Sequence, residues 1–272
     1  MKRIVALTFL MIALSGFTQS DTLKFGDPVI RKTYNFNAGE ELYFKLSYGW
    51  FTVGRADLQV DPADHTYDNK DCYKIDISGR TAGLLGVFTH VDDKWGAYVS
   101  KDDLLPVMAY SDIEEGKYTR KEEIYYDQTN RKIKLHVEKR KKPRKTKYFE
   151  SATEVYDLLS GFLVIRDIDF GALSIGDTVK FNAFYDQIFY DFGLVYHGVE
   201  LVNTEVGKLN AYKVVPVLPE NKVFPGENPI TAWISADNNQ LPLKIEANMF
   251  FGTAECELTG YKNIKYGPDY ID

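Results

Sequence analysis

The chain has 272 residues, of which 44% are hydrophobic, and it carries a formal charge of −6 at pH 7. This length and apolar content suffice for one large domain or two small ones, and the acidic balance argues against a nucleic-acid partner. The aromatic residues, 19 Tyr, 17 Phe and 3 Trp, favour strands over helices. The sequence lacks the G-x-S-x-G, H-E-x-x-H and phosphate-loop motifs, so we predict no catalytic residues, no metal site and no cofactor.

Residues 1–20 have the pattern of a secretory signal peptide. Lys2 and Arg3 precede an apolar run at residues 4–14, and small and polar residues follow it up to Ser20. No cysteine follows the run, which disfavours a lipid-anchored form, and no later stretch has the length of a membrane-spanning helix. We therefore predict an exported, periplasmic, soluble protein, cleaved near Ser20, in which residues 21–272 form a single antiparallel β domain.

Strand-like segments fill most of the remaining chain. Near its start, Leu42, Phe44 and Leu46 alternate with other side chains, as in a strand with one buried face. Similar segments, separated by turn residues, recur at hairpin spacing up to the C-terminus. The predicted strands are two within residues 36–61, then 72–78, 91–100, 107–113, 117–127, 131–138, 178–185, 188–204, 209–218, 230–235, 243–251 and 253–264. Residues 61–71 are interpreted as a polar turn, and residues 79–88 as a glycine-rich loop.

One segment is predicted to be a helix, at about residues 152–168. Ser151 and Glu154 have the spacing of a capping box, in which each side chain bonds a backbone N–H of the first turn. Apolar residues then recur every three or four positions, which places them on one helix face. They are Val155, Leu158, Leu159, Phe162 and Ile165. Because this helix needs a sheet to cover it, we predict a mainly β fold: a single large antiparallel sheet, curled into a barrel or half-barrel, with one central helix packed against it.

Cys72 and Cys256 could form a disulfide in an oxidising compartment. Cys256 alternates with the apolar residues Ala254 and Leu258, whereas Cys72 alternates with polar residues. The two thiols would then lie on different faces of a regular sheet, unless a bulge changes the alternation. Two unpaired thiols are the favoured alternative, and two cysteines are too few for a metal site.

The segment at residues 139–147, KRKKPRKTK, is strongly basic in an otherwise acidic chain. One interpretation is a solvated hairpin tip that bends at Pro143 and whose charges prevent edge-to-edge aggregation. The other is a docking surface for an anionic membrane, through phosphate groups of lipid or lipopolysaccharide, or for an acidic partner. The candidate residues for this surface are Lys141, Lys142, Arg144 and Lys145.

An aromatic segment at residues 184–196 has large apolar side chains on both faces of its strand. Such a strand is either covered on both sides or lines an apolar cavity. In the second case the ligand would be a lipid or another apolar envelope component, and the glycine-rich loop could act as a lid. The candidate lining residues are Phe189, Tyr190, Phe192, Tyr196, Phe250, Leu84 and Leu85.

Four segments spread over the chain carry a resemblance to a known family. They are AGEELYFKLSYGWFTVGRADLQV, DLLPVMAYSDIEEGKYTRKEEIYYD, the helical segment followed by LSIGDTVKF, and WISADNNQLPLKIEANMFFGTAECEL. In this order, from about Ala38 to Leu258, they resemble the exported bacterial family named domain of unknown function 3108. The resemblance implies a one-domain periplasmic β protein of Gram-negative bacteria. It implies no activity and no catalytic residues.

Three functions from different classes fit the sequence. The first is a non-enzymatic periplasmic binding or carrier module whose curled sheet holds an apolar or amphipathic ligand. The second is an interaction or assembly protein of the cell envelope that uses sheet edges and the basic segment. The third is a hydrolase whose site joins residues distant in sequence, such as Asp92 with His197. The size and lining of the space between helix and sheet separate the first two.

Overall fold

The computed structural model describes residues 31, 33–82, 90–140, 142–217, 229–249 and 252–271. Within them, 15 strands form one antiparallel sheet, which confirms the predicted fold class. The strands are β1 (Glu41–Tyr48), β2 (Phe51–Val60), β3 (His65–Tyr67), β4 (Lys70–Thr81), β5 (Val91–Ser100), β6 (Pro106–Glu115), β7 (Tyr118–Asp127), β8 (Lys132–Lys139), β9 (Lys142–Glu150), β10 (Thr178–Tyr185), β11 (Ile188–Thr204), β12 (Gly207–Pro216), β13 (Ile230–Ser235), β14 (Pro242–Met249) and β15 (Gly252–Lys262). β5, β10, β11 and β13 have the predicted bounds.

The order of strands in the sheet follows the order along the chain, with one break. It runs from β10 through β15, then β1, β2 and β4, and on to β9, while β3 pairs with β4 beside this path. The two halves of the chain therefore join where β15 pairs with β1, for example through Leu46 opposite Cys256. β10 and β9 are the two ends of the strand order.

Side chains connect these two ends of the sheet. Arg120 of β7 forms an ion pair with Asp186 in the turn between β10 and β11, at 2.8 Å. The rings of Phe149 on β9 and Phe184 on β10 lie 5.0 Å apart. In the described part of the chain, β9 and β10 do not pair with each other. The sheet is thus an open half-barrel, and side chains are among the groups that bridge its gap.

The helix, α1 (Leu158–Ile165), is shorter than the predicted range, and the predicted start at Ser151 is wrong. Its N-cap is Asp157, whose carboxylate accepts from the Ser160 N–H at 2.8 Å, while the Ser160 hydroxyl accepts from the Asp157 N–H at 2.9 Å. The chain before it is extended because Tyr156 makes two backbone hydrogen bonds with β10, each 2.8 Å long. A residue held in a β-bridge cannot also form a helical turn, so the helix begins later.

α1 lies inside the curled sheet, against β10 and β5, which agrees with the predicted central position. One of its faces, with Leu159, Leu163 and Val164, is buried in the main core. Inward side chains of the sheet, such as Leu58 and Ile75, complete this core. No helix of the described residues is long and apolar enough to cross a membrane.

A buried ion pair fixes the chain just after α1. The side chains of Arg166 and Glu40 are 1% and 0% exposed, and Arg166 Nη1 donates to Glu40 Oε1. Arg166 Nη2 also donates to the backbone carbonyls of Asn35 and Asn239, at 2.7 and 3.1 Å. These bonds join three segments that are distant in sequence: the residues before β1, the end of α1 and the turn between β13 and β14.

Two predicted connections contain strands in the structure. Residues 61–71 include β3, which pairs with β4, so their interpretation as a turn alone is wrong. The predicted bend at Pro143 is also wrong, because Pro143 lies within β9 and the hairpin closes where Lys139 pairs with Lys142. A proline is tolerated there because β9 is an edge strand, on which one side needs no hydrogen-bond partners.

Cys72 and Cys256 are free thiols. Cys72 lies on β4 and Cys256 on β15, and β1 and β2 lie between these strands in the sheet. Neighbouring strands are about 4.8 Å apart, so three strand spacings separate the two residues by roughly 14 Å. This exceeds the distance that a disulfide can bridge.

Candidate functional site: an apolar cavity between helix and sheet

A cavity of about 240 Å³ lies between α1 and the sheet. Its walls come from α1 and from β1, β2, β4 and β10–β15, and they are almost entirely hydrophobic. Apolar cavities of about 150 Å³ stay dry and take up small hydrocarbons. A larger cavity of the same kind is suited to an apolar ligand.

The helix presents a second apolar face to this cavity. Leu158, Phe162 and Ile165 follow one another at intervals of four and three residues, which places them on one side of α1. Each is only half-buried, unlike Leu159 and Leu163 on the packed side. The predicted single apolar face is therefore two faces, one packed in the core and one bordering free space.

Small side chains form part of the sheet wall. Ala247 of β14 lies opposite Ala254 of β15, and Ala232 of β13 lies opposite Ile245 of β14. All four residues line the cavity. Protein interiors are normally close-packed, so a methyl group at an inward position leaves space that a larger side chain would fill.

Few polar groups border the cavity. Burial raises the pKa of the Cys256 thiol to about 12, so this thiol stays protonated and acts as part of the apolar wall. Burial also raises the pKa of the Asp157 carboxyl, although its bonds from Ser160 act in the opposite direction. Within the described lining, the cavity therefore suits binding better than chemistry.

The predicted lining residues fall in different places. Phe192 lies in the cavity wall. Phe189 and Tyr190 border a separate pocket, and Tyr196 packs near Phe170 in a second core cluster. β11 has 17 residues and extends beyond the cavity at both ends, which is why most of its aromatic residues do not reach it. Outside the described residues lie Phe250, Leu84 and Leu85.

The basic segment forms one edge of the sheet. β9 is exposed along nearly its whole length. Arg144 pairs with Glu123 of β7, Lys142 and Lys145 are exposed, and Lys141 lies outside the described residues. Charged side chains on an edge strand prevent further strand pairing, and contact of β9 with an anionic membrane stays a prediction.

The residues suggested for a hydrolase are far apart in the sheet. Asp92 on β5 and His197 on β11 are both exposed, and β12–β15, β1, β2 and β4 lie between their strands. In the ranges that the structure describes, no group of three His, Cys, Asp or Glu side chains is placed to hold a metal ion.

Asp93 is a buried carboxylate on the inner side of β5. Its side chain is 0% exposed, and its Oδ1 accepts from the Glu114 N–H at 2.9 Å. Among the described residues, its Oδ2 has no hydrogen-bond partner. Burial raises the pKa of this carboxyl to about 7, which the bond from Glu114 only partly offsets.

We expect Asp93→Asn to stabilise the protein at high pH. The folded-state pKa lies above the ordinary value of 3.8, so the stability associated with Asp93 is present below about pH 4 and is lost as the pH rises through about 7. The amide stays neutral and keeps an acceptor for Glu114. The difference in free energy of unfolding between variant and wild type should therefore grow by on the order of 2 kcal/mol between pH 4 and pH 8.

Denaturant unfolding at a series of pH values measures this difference. Asp92→Asn is the matched control, because Asp92 is the exposed neighbour on the same strand. If the free energy of unfolding relative to wild type depends on pH in the same way for both variants, the expectation that burial raises the pKa of Asp93 is wrong.

The family model described as "Protein of unknown function (DUF3108)" matches residues 43–259. The chain belongs to the DUF3108 family. This match confirms the predicted resemblance. The matched residues include α1 and at least part of every strand that lines the cavity of the DUF3108 chain.

Comparison of the DUF3108 chain with curated proteins finds no match. Among solved structures it is similar to a beta-barrel-like protein of domain of unknown function DUF1849 from Brucella abortus, with a TM-score of 0.51 and 8% identity, over 84% of this chain and 99% of that chain. A "putative lipoprotein" from Parabacteroides distasonis ATCC 8503 has a TM-score of 0.34 and 12% identity, over 85% of this chain and 99% of that chain. The likeness to the Brucella protein concerns the fold alone.

Most of the cavity wall of the DUF3108 chain was not predicted from the sequence. The predicted lining residues lie on β11 and at Phe250, Leu84 and Leu85, whereas β13, β14 and β15 contribute Ala232, Ala247 and Ala254. A signal was present in the sequence, because β13 and β14 each carry an alanine between larger apolar residues at inward positions, while Ala254 of β15 alternates with Gly252 and Cys256. Such a pattern indicates free space beside a strand.

Proposed function

We propose that this protein is a non-enzymatic binding or carrier module of the periplasm, whose cavity holds an apolar or amphipathic molecule of the cell envelope. The observation that supports this most directly is the cavity between α1 and the sheet, with its almost wholly hydrophobic lining. The half-buried residues Leu158, Phe162 and Ile165 are the helix side chains that a ligand would cover.

The energetics favour an occupied cavity. Side chains beside a void lose dispersion contacts, and cavities destabilise a fold in proportion to their volume. An apolar chain that fills the space restores these contacts and removes its own surface from water, which contributes about 25 cal/mol per Å². Transfer of a charged group into such an almost wholly hydrophobic lining is costly, so lipids and related hydrocarbons are the ligand class that fits.

The periplasmic part of the proposal comes from the sequence. Residues 1–20 lie outside the described residues, and their pattern of basic, apolar and small residues is that of an export signal. An exported protein with an apolar cavity can carry a lipid through an aqueous compartment, where the lipid alone is poorly soluble. This role needs binding and release, and it needs no catalytic group.

The proposal is tested with protein purified without detergent. We expect organic extraction and mass spectrometry to show a bound apolar molecule. After its removal, the fluorescent probe N-phenyl-1-naphthylamine should bind saturably, at about one probe per chain. If no apolar molecule is extracted and the probe shows no saturable binding, the proposed function is wrong.

A further inference from the structure

We propose that the ligand is an amphipathic lipid with a small, uncharged, oxygen-bearing head group, and that a polar chamber beside α1 receives this head group. The inference rests on the proposed function, because it specifies the ligand of the same site. It is based on a second space in the interior and on two buried polar atoms in its wall.

The polar chamber has a volume of about 50 Å³ and adjoins the apolar cavity at the N-terminal turn of α1. Asp157, Leu158, Leu159 and Tyr185 line both spaces. The remaining wall comes from β5, β6, β7, Phe184 of β10 and Asp186 in the turn after β10. A molecule that extends past this boundary has its chain in the cavity and its end in the chamber.

Two buried polar groups in the chamber wall have no hydrogen-bond partner among the described residues. They are Nε of Arg120 and the hydroxyl of Tyr126, and these residues are only 7% and 6% exposed. The other nitrogens of Arg120 pair with Glu122 and Asp186. Burying a polar group without a hydrogen-bond partner costs about 1–3 kcal/mol. Native proteins rarely contain buried polar groups that lack a partner. A ligand that supplies a partner removes this cost.

The two groups lie on the same face of β7, six residues apart along the strand. Burial, followed by the negative charges of Asp157 and Glu122, raises the pKa of Tyr126, so its hydroxyl stays protonated. Asp157 and Tyr185 line both spaces, and the Tyr126 hydroxyl is a neutral donor in the wall of the chamber alone. Arg120 lies farther along β7, towards Asp186.

Hydrogen-bonding capacity, charge and size define the head group. Arg120 Nε–H can only donate, and the Tyr126 hydroxyl can donate, so the partner needs an acceptor oxygen. Glu122 and Asp186 offset the charge of Arg120, which leaves no excess positive charge for a phosphate or a carboxylate. At roughly 10–15 Å³ for each water-sized group, the chamber holds only a few such groups. A primary alcohol or a glycerol ester satisfies all three conditions.

The variant Tyr126→Phe tests the inference with little risk to folding, because the hydroxyl that it removes has no partner among the described residues. Its matched control is Tyr125→Phe. Tyr125 immediately precedes Tyr126 on β7 and lies on the opposite face of the strand. Its hydroxyl donates to Glu123 at 3.1 Å. Both variants are titrated with N-phenyl-1-naphthylamine, which is then displaced by dodecan-1-ol or by dodecyl phosphate.

In the wild type, we expect dodecan-1-ol to bind about tenfold more tightly than dodecyl phosphate. Tyr126→Phe should weaken dodecan-1-ol binding about five- to tenfold and leave the affinity for the fluorescent probe unchanged, as one lost hydrogen bond predicts. Tyr125→Phe should change neither value. If Tyr126 had a purely structural role, Tyr126→Phe would not change the ratio of the affinity for dodecan-1-ol to the affinity for the fluorescent probe.

Two results would overturn the inference and leave the proposed function intact: equal binding of alcohol and phosphate by the wild type, or unchanged alcohol binding in Tyr126→Phe. Failure of the fluorescent probe to bind any of these proteins, together with the absence of an extracted apolar molecule, would overturn both, and this distinguishes the two cases.

Discussion

Arg166→Met is expected to lower the free energy of unfolding by about 3–5 kcal/mol. The side chains of Arg166 and Glu40 are 1% and 0% exposed, so loss of the guanidinium leaves a carboxylate buried without a counter-charge. The backbone carbonyls of Asn35 and Asn239 lose a donor at the same time. Urea unfolding followed by circular dichroism should show a lower midpoint with an unchanged slope.

An exposed ion pair provides the control for this prediction. Lys121 Nζ and Asp112 Oδ2 lie 2.7 Å apart, but the two side chains are 65% and 49% exposed. Lys121→Met should therefore lower the free energy of unfolding by less than about 1 kcal/mol. Replacing Glu40 and Arg166 together by Met should recover much of the loss, since no unpaired charge then stays buried. If Arg166→Met costs no more than Lys121→Met, the buried pair does not stabilise the end of α1.

Ala232→Phe is expected to weaken binding of N-phenyl-1-naphthylamine by on the order of tenfold or more, equivalent to at least about 1.4 kcal/mol. Ala232 lies opposite Val214 of β12 and Ile245 of β14, and all three line the cavity. A phenyl group at this position occupies the space that the ligand needs. Because the phenyl group fills a void, we expect the free energy of unfolding of Ala232→Phe to be equal to or higher than that of the wild type.

Thr231→Phe is the matched control for this substitution. Thr231 is the adjacent residue of β13, and successive side chains of a strand point to opposite faces of the sheet, so the same added group lies outside the cavity. Thr231 is not among the lining residues. Probe binding should be retained in this variant. Equal losses in both variants, or none in Ala232→Phe, would show that the probe binds elsewhere.

The strands were predictable because their signals are local. Alternating apolar residues and intervening turn residues define β5, β10, β11 and β13 to the residue, and neighbouring hairpins then require an antiparallel sheet. The prediction of a curled sheet around one helix followed from the amount of apolar surface on residues 152–168. Neither inference needed contacts between distant parts of the chain.

The parts that sequence reasoning missed depend on such distant contacts. The capping box at Ser151 was a sound local pattern, and it failed because Tyr156 pairs with β10 instead. Nothing near Arg166 in the sequence indicates that Glu40 is its partner. The cavity is likewise a property of packing: α1 and nine strands border it, so its volume cannot be read from the periodicity of any one of them.

The gap between β9 and β10 has a mechanical consequence for the proposed uptake and release of a ligand. A fully hydrogen-bonded barrel widens only by rupturing backbone ladders, whereas here the seam consists of contacts such as Arg120 with Asp186 and Phe149 with Phe184. A partly exposed ion pair and an aromatic contact are each worth about 1 kcal/mol. Spreading of the half-barrel along this seam would leave every strand pairing of the sheet intact, but it would break these contacts together with the two backbone hydrogen bonds between Tyr156 and β10.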